Sequence, residues 1–382
     1  MPRNSPLRLL LIAGARPNFM KVAPVLAALR SGRAEKRVET RLVHTGQHYD
    51  EGMSKVFFEE LELPQPDVHL EVGSGTHSVQ TALVLTRLEP VIVEWRPDIV
   101  VVVGDVNSTI AGALAAAKLN VRVAHVEAGL RSFDRTMPEE INRLLTDQIA
   151  QWLFVTEPSG VENLRREGRP EEAIHLVGNV MIDSLRRFLP AAQKKTVLPR
   201  LGLATSSGEA RPYVLATLHR PSNVDAPESL EPVLGGLAEA GREAAVVLPV
   251  HPRTAERLER FGLGHYFSAD WNEHGRGVKL LPPLGYLEFL QLQSRAAAVV
   301  TDSGGVQEET TALGVPCFTV RDSTERPITI SQGTNTLVGS DMDAMIRGVR
   351  EALAGRGKRG RVPDLWDGNA AERIAAVLLR EG

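Results

Sequence analysis

The sequence predicts an α/β protein of two doubly wound, Rossmann-like parallel sheets, and three observations support this. Short β-branched runs alternate with longer amphipathic stretches along nearly the whole chain. Gly and Pro mark several turns at the ends of those runs, as in GARPN at residues 14–18 and GD at 104–105. Between residues 191 and 212 the alternation lapses into AAQKKTVLPRLGLATSSGEARP, which reads as linker and sheet edge, and then it restarts. With 382 residues, 43% of them hydrophobic, the chain is long for one core and sufficient for two. The expected organisation is an N-terminal domain over residues 1–180 and a C-terminal domain over residues 181–364. The last amphipathic helix, within residues 365–382, is expected to cross back onto the first domain.

Taken in order, residues 7–12 read as the opening strand, 14–18 as a tight turn and 19–30 as a helix. A second strand at 39–44 ends in HTGQHYD, and a helical pattern at 79–95 leads to IVVVV at 99–103. That run is β-branched on both faces, which suits a strand buried inside a parallel sheet. Ser108 is placed to cap the Ala-rich helix that runs to Leu119. The next strand, 121–126, ends at Glu127 and Gly129, and Pro138 opens a helix with Glu139 and Glu140 in its first turn. Strands at 152–155 and 174–177 flank a helix at 159–166. In the second half, strands are expected at 213–218, 245–250, 278–281 and 297–301, with helices at 230–242, 254–261 and 286–294.

Composition excludes several classes of function. A formal net charge of -3 with interspersed charges gives no basic patch for nucleic acid. The N-terminal apolar run is too short for a signal peptide or membrane anchor, so a soluble, cytoplasmic protein is expected. Cys317 is the only cysteine, which rules out an intrachain disulfide and a thiolate metal cluster, and its setting in GVPCFTV predicts a buried thiol. No metal site is expected.

Ligands of an open α/β sheet bind at the carboxyl ends of its strands. Asp105, Glu127 and Glu139 are expected to share one crevice there, with Glu140 as the solvated neighbour of Glu139. GARPN is not G-x-G-x-x-G, and no acid ends the second strand, so a dinucleotide is not expected. Arg16 and Lys21 lie close to a helix N-terminus, a good place for phosphate. Gln47 and His48 read from composition as loop hydrogen bonders. After the strand ending at Thr301, Ser303, Gly304 and Gly305 open a helix as a phosphate cradle. Glu309 follows about one and a half turns in, where a carboxylate accepts from vicinal ribose hydroxyls. Phe289 offers a face to a base. His219 and Arg220 in TLHRPSN, and Arg326 in TERP, fall at further strand ends near that diphosphate.

The segments GARPNFMK, TGQHYD, VVGDVNST, HVEAGLRS, MPEEINR, VGNVMIDSL, LHRPSN, DSGGVQEE and TERP occur in this order over nearly the full length. In them the chain resembles the non-hydrolysing UDP-N-acetylglucosamine 2-epimerases, of the two-domain glycosyltransferase-B-like fold with a central cleft. The resemblance implies reversible conversion of UDP-GlcNAc to UDP-ManNAc by elimination and re-addition of UDP, serving cell-surface polysaccharide precursors. It implies no organic cofactor, a UDP-sugar as partner, and a homodimer. Carried over, Asp105, Glu127 and Glu139 resemble the acid/base carboxylates, with His219 beside them. Arg16, Lys21, Ser303, Gly304, Gly305 and Arg326 resemble the diphosphate and sugar contacts, and Phe289 and Glu309 the uracil and ribose contacts. Gln47 and His48 match a region that in some bacterial members holds a regulatory UDP-GlcNAc. Asn18, Ser222 and Ile328 stand where many members have Glu. Those differences leave open a modified UDP-sugar such as a diacetamido uronic acid. A hydrolysing epimerase, a glycosyltransferase of the same architecture and a non-catalytic UDP-sugar sensor compete with the epimerase reading.

Overall fold

Seven short runs in the first half of the chain form one parallel sheet: β1 Leu7–Ala13, β2 Val38–His44, β3 Val68–His69, β4 Ile99–Val103, β5 Arg122–Ala128, β6 Trp152–Val155 and β7 Ile174–Leu176. The computed structural model describes residues 5–31, 37–47, 60–268, 271 and 275–381. Strand order is β3-β2-β1-β4-β5-β6-β7, so it reverses between β1 and β4. All five residues of β4 are buried, as their branching on both faces requires. Leu10, Ile12, Val100 and Val102 of the sheet pack with Val84, Leu88 and Ile92 of the helix His77–Trp95 in one core.

The second half forms a six-stranded parallel sheet of its own. Its strands are β8 Tyr213–Thr217, β9 Ala245–Pro249, β10 Gly277–Leu281, β11 Ala298–Thr301, β12 Cys317–Thr319 and β13 Asn335–Leu337, in the order β10-β9-β8-β11-β12-β13. Here the order reverses between β8 and β11. Cys317 is fully buried in β12. The passage at 191–212 is part of this unit's fold and not a bare linker. Val197, Leu198 and Leu203 are buried with Tyr213 and Leu215, because these scattered apolar side chains cover one edge of the core.

The two compact units are Met1–Arg187 with Asp364–Gly382, and Phe188–Pro363. The boundary lies inside the helix Val180–Ala192. The terminal helix Ala370–Glu381 belongs to the first unit and packs on the helix Arg16–Leu29. Asp183 accepts from the Ala370 and Ala371 N–H groups at 3.2 and 2.7 Å, which caps that helix from another element. Trp366, fully buried, donates from Nε1 to the Thr156 carbonyl at 3.0 Å.

Helix starts follow proline more closely than apolar periodicity. The helices Pro158–Arg166, Pro227–Gly241 and Pro252–Arg260 each begin with Pro, one to three residues before the predicted starts. Ser108 is not a cap: the N-cap of Asn107–Lys118 is Val106, and the Ser108 hydroxyl is committed to Gln47 Oε1 at 2.7 Å and Thr45 Oγ1 at 2.8 Å. The helix Pro138–Ile149 is inverted in character, burying Glu140, Arg143, Thr146 and Asp147 while Ile141 and Leu145 are exposed. Among the described residues, no helix is long and apolar enough to cross a membrane.

Candidate active site

In the first unit the site forms at the switch point between β1 and β4. Asn18, in the first turn of the helix after β1, accepts through Oδ1 from the Gly14 and Ala15 N–H groups at 3.1 and 3.0 Å. Its amide donates to the Val103 carbonyl at 3.2 Å, tying the turn after β1 to the end of β4. Asn18 thus performs a structural task at a position where the resemblance had raised Glu. Gly104 follows with φ +66°, a left-handed backbone that favours glycine, and the nearest atom a Cβ would meet is the end of the Lys21 side chain at 2.9 Å. Lys21, expected close to a helix N-terminus as a phosphate contact, is buried and ion-paired with Glu127.

Glu127 does not end its strand as predicted. β5 runs on to Ala128 through an irregularity between Val126 and Ala128, and Glu127 sits in that bulge with φ +75°. A non-glycine residue in this left-handed region costs about 1–2 kcal/mol, and such conformations persist where surrounding contacts over-determine them. Asp105, next to Gly104, accepts from Arg143 Nη2 at 2.7 Å and Nε at 3.1 Å, while its carbonyl accepts from Asn142 Nδ2 at 2.9 Å. Both sequence-predicted carboxylates of the sheet edge are therefore held beside a cation.

Glu140, expected to be solvated, is 1% exposed. It accepts from the Ser132 and Phe133 N–H groups at 2.9 and 3.0 Å and from Arg143 Nη1 at 2.8 Å. Arg143 consequently bridges Asp105 and Glu140. Glu139 is half-buried and precedes Arg143 by one helical turn, on the same face. Arg143 and Glu140 were missed as site residues; the signal available was their spacing, three residues apart on a helix that starts at Pro138.

Gln47 uses its side-chain carbonyl to accept from the Ser108 N–H at 3.1 Å and hydroxyl at 2.7 Å, anchoring the start of Asn107–Lys118. Gln80 donates to the Gln47 carbonyl at 3.1 Å and accepts from Asn107 at 2.8 Å. His48 lies outside the described residues, and the Arg16 side chain is likewise not described.

In the second unit the corresponding place is the switch point between β8 and β11. Asp302 is the hub there, buried and directly after β11. It accepts from the Arg220 N–H at 2.8 Å, the His219 N–H at 2.9 Å, Asn223 Nδ2 at 3.2 Å and His219 Nδ1 at 2.8 Å. Burial pushes its carboxyl up, but the His219 ring and the backbone N–H groups outweigh that and hold it below the usual range. The His219 ring is thereby fixed by Asp302 yet remains 43% exposed on its side chain. The sequence pattern singled out Ser303 and the glycines of DSGG and passed over its first residue.

Ser303 is the N-cap of the helix Gly304–Leu313. Gly304 lies against Arg326, since a Cβ there would meet its Nη1 at 2.4 Å, so this guanidinium rests at the helix N-terminus with Gly305 next in the turn. Arg326 pairs through Nε with Glu308 at 2.8 Å and through Nη1 with Glu325 at 3.5 Å. Glu325 also meets Arg321 at 3.0 Å and Arg220 at 3.3 Å, which gathers three guanidinium groups by this helix start. Glu309, one turn beyond Gly305, is buried and accepts from the Tyr286 hydroxyl at 3.1 Å. Burial pushes its carboxyl up to about 7. Phe289 is half-buried on the helix Tyr286–Arg295, against the core that contains Val299 and Leu292.

Acids beside cations at one switch point, and a glycine-opened helix ringed by arginines at the other, define a nucleotide-sugar enzyme built from two Rossmann-like parallel-sheet domains. A sequence model of the family described as UDP-N-acetylglucosamine 2-epimerase matches residues 30–379, and the chain belongs to that family of isomerases. A UDP-N-acetylglucosamine 2-epimerase from Methanocaldococcus jannaschii is 43% identical over 374 residues, covering 97% of this chain and 99% of its own. A UDP-2,3-diacetamido-2,3-dideoxy-D-glucuronate 2-epimerase from Pseudomonas aeruginosa is 42% identical, covering 98% of this chain and 100% of its own. The crystal structure of the M. jannaschii UDP-GlcNAc 2-epimerase in complex with UDP-GlcNAc and UDP matches with a TM-score of 0.87 at 42% identity, covering 98% and 100% of the two chains.

Proposed function

We propose that this chain interconverts UDP-N-acetylglucosamine and UDP-N-acetylmannosamine by eliminating UDP and adding it back. The supporting observation is the occupancy of both switch points: carboxylates Asp105 and Glu127 in one unit, and the Gly304 helix start with Arg326 and His219 in the other. In the forward direction a carboxylate takes the C2 proton, the C1–O bond breaks toward UDP, and the double bond C1=C2 forms. Re-addition of UDP to C1 with protonation of C2 on the opposite face gives the epimer. No net oxidation occurs, so the steps need proton carriers and charge stabilisation only.

In this reading Asp105, Glu127 and Glu139 carry the proton transfers, with Arg143 paired to the first and Lys21 to the second. His219, Ser303, Gly304, Gly305 and Arg326 receive the diphosphate, Arg16 adds a cation, and Phe289 and Glu309 take the uracil and ribose. Gln47 and His48 border a second, regulatory nucleotide-sugar site.

The test is proton NMR of UDP-GlcNAc with the purified protein in heavy water. Expected are a UDP-ManNAc anomeric signal and deuterium at C2. Release of free ManNAc would move the assignment to hydrolysis. An inert UDP-GlcNAc beside a converted diacetamido uronic acid would move it to the substrate class in the name of the Pseudomonas relative.

The active form is proposed to be a homodimer in the cytoplasm. The helices His77–Trp95 and Pro138–Ile149 both pack on Asn107–Lys118, and they expose Val79, Val93, Ile141 and Leu145, apolar side chains for a second copy to cover. Sedimentation equilibrium should return about twice the chain mass of 41.6 kDa; the chain mass alone at micromolar concentration would reject the dimer.

A further inference from the structure

The geometry points to Asp147 and His125 as the residues that position the acid pair, a role that rests on the epimerase reading for its catalytic consequence. Glu127 occupies its left-handed bulge between two groups that answer to one carboxylate. His125, two residues before it, meets Asp147 Oδ1 through Nδ1 at 2.6 Å, and the Gly129 N–H, two residues after it, donates to Asp147 Oδ2 at 3.0 Å. Asp147 therefore clamps both ends of the bulge from the helix Pro138–Ile149.

The other side of the histidine ring reaches the second acid. His125 Nε2 lies 2.8 Å from the Gly104 carbonyl, the residue immediately before Asp105. A carbonyl only accepts, so Nε2 carries a hydrogen. On the other side of the ring, burial pushes the Asp147 carboxyl up, but His125 and Arg131 outweigh it and hold it below the usual range, so Nδ1 and Oδ1 close a short hydrogen bond. A ring engaged through both nitrogens locks β5 to the end of β4. The same helix supplies Asn142 and Arg143 to Asp105. One rigid element thus fixes Glu127 through Asp147 and Asp105 through Arg143. Arg131, shared between Asp147 at 2.7 Å and Glu167 at 2.6 Å, completes the charge balance of the buried group.

The experiment compares Asp147→Asn with Glu167→Gln in the full chain. The first keeps the volume but loses an acceptor facing the bulge; the second weakens the same buried network without touching either acid. Crystal structures come first. In Asp147→Asn the Glu127 φ should leave the left-handed region and the Lys21–Glu127 pair should open, while Glu167→Gln should leave both unchanged. Kinetics follow: kcat for C2 epimerisation should fall by about a hundredfold in Asp147→Asn, the loss expected for a displacement near 1 Å. The limb of its kcat–pH profile that reports the displaced acid should move, with KM changed less than threefold. Glu167→Gln should keep the wild-type profile. An unmoved Glu127, or a wild-type kcat and profile in a folded Asp147→Asn, overturns the assignment. A wild-type protein inert toward UDP-sugars would reject the epimerase reading instead, and the crystallographic comparison would still decide whether Asp147 holds the bulge.

Discussion

Replacing Asp105 by Asn, or Glu127 by Gln, lowers the rate of C2 deuterium incorporation from heavy water by at least about a hundredfold, the usual contribution of a general acid–base group. Neither amide takes up a proton at the pH of the reaction, and neither change removes much volume. For Asp105→Asn the surroundings stay largely satisfied, because Arg143 keeps Glu140 as its ionic partner at 2.8 Å. For Glu127→Gln the buried Lys21 loses its carboxylate. That variant is therefore expected to unfold at lower denaturant as well as to turn over slowly. Measuring exchange well below the unfolding midpoint separates the two effects. Exchange within tenfold of wild type in either variant would remove that residue from the proton-transfer steps.

Gly129→Ala is expected to be the most damaging single-methyl change near the site. Its φ is +81°, and an added Cβ would meet the Gly160 backbone, with O at 2.5 Å and C at 2.8 Å. Backbone of the helix Pro158–Arg166 does not swing aside as a flexible side chain would, and Asn163 of that helix already donates to the Gly129 carbonyl at 2.9 Å. A loss of about 4 kcal/mol or more follows from the overlap together with the strained φ. Gly168→Ala makes the control, for its φ is +77° but nothing lies within 4 Å of the new methyl. It should cost only about 1 kcal/mol. Chemical denaturation of the two variants side by side checks this; equal losses would mean that the close approach at Gly160 relaxes freely.

The parts of the fold that apolar pattern controls were legible in the residues. Ile99–Val103 is the buried strand its branching requires, and Gly104 with Asp105 falls at its carboxyl end. The glycines of DSGG do open a helix after β11. What stayed hidden depends on contacts between distant residues. Nothing in HVEAG announces that Glu127 takes a left-handed conformation, because that is imposed by a carboxylate on another element. Two adjacent acids after Pro138 do not reveal which one turns inward. The usual guide, the apolar face, misleads on this helix, whose buried side is polar and whose Ile141 and Leu145 face out. The passage at 191–212 misleads for the opposite reason: a few apolar residues among many polar ones are enough to seal an edge.

The capping of the terminal helix by Asp183 bears on the order in which the molecule is completed during synthesis. Residues 188–363 form a unit whose strands are all contiguous in the chain, whereas the first unit is closed only by residues 364–382. A nascent chain that has passed residue 187 still lacks Trp366, Ile374 and Leu378, all buried in the finished protein. The Asp183 carboxylate awaits two N–H groups made almost 190 residues later, at separations of 187 and 188. The unit that begins before residues 188–363 is therefore sealed only after them, once residues 364–382 have been translated.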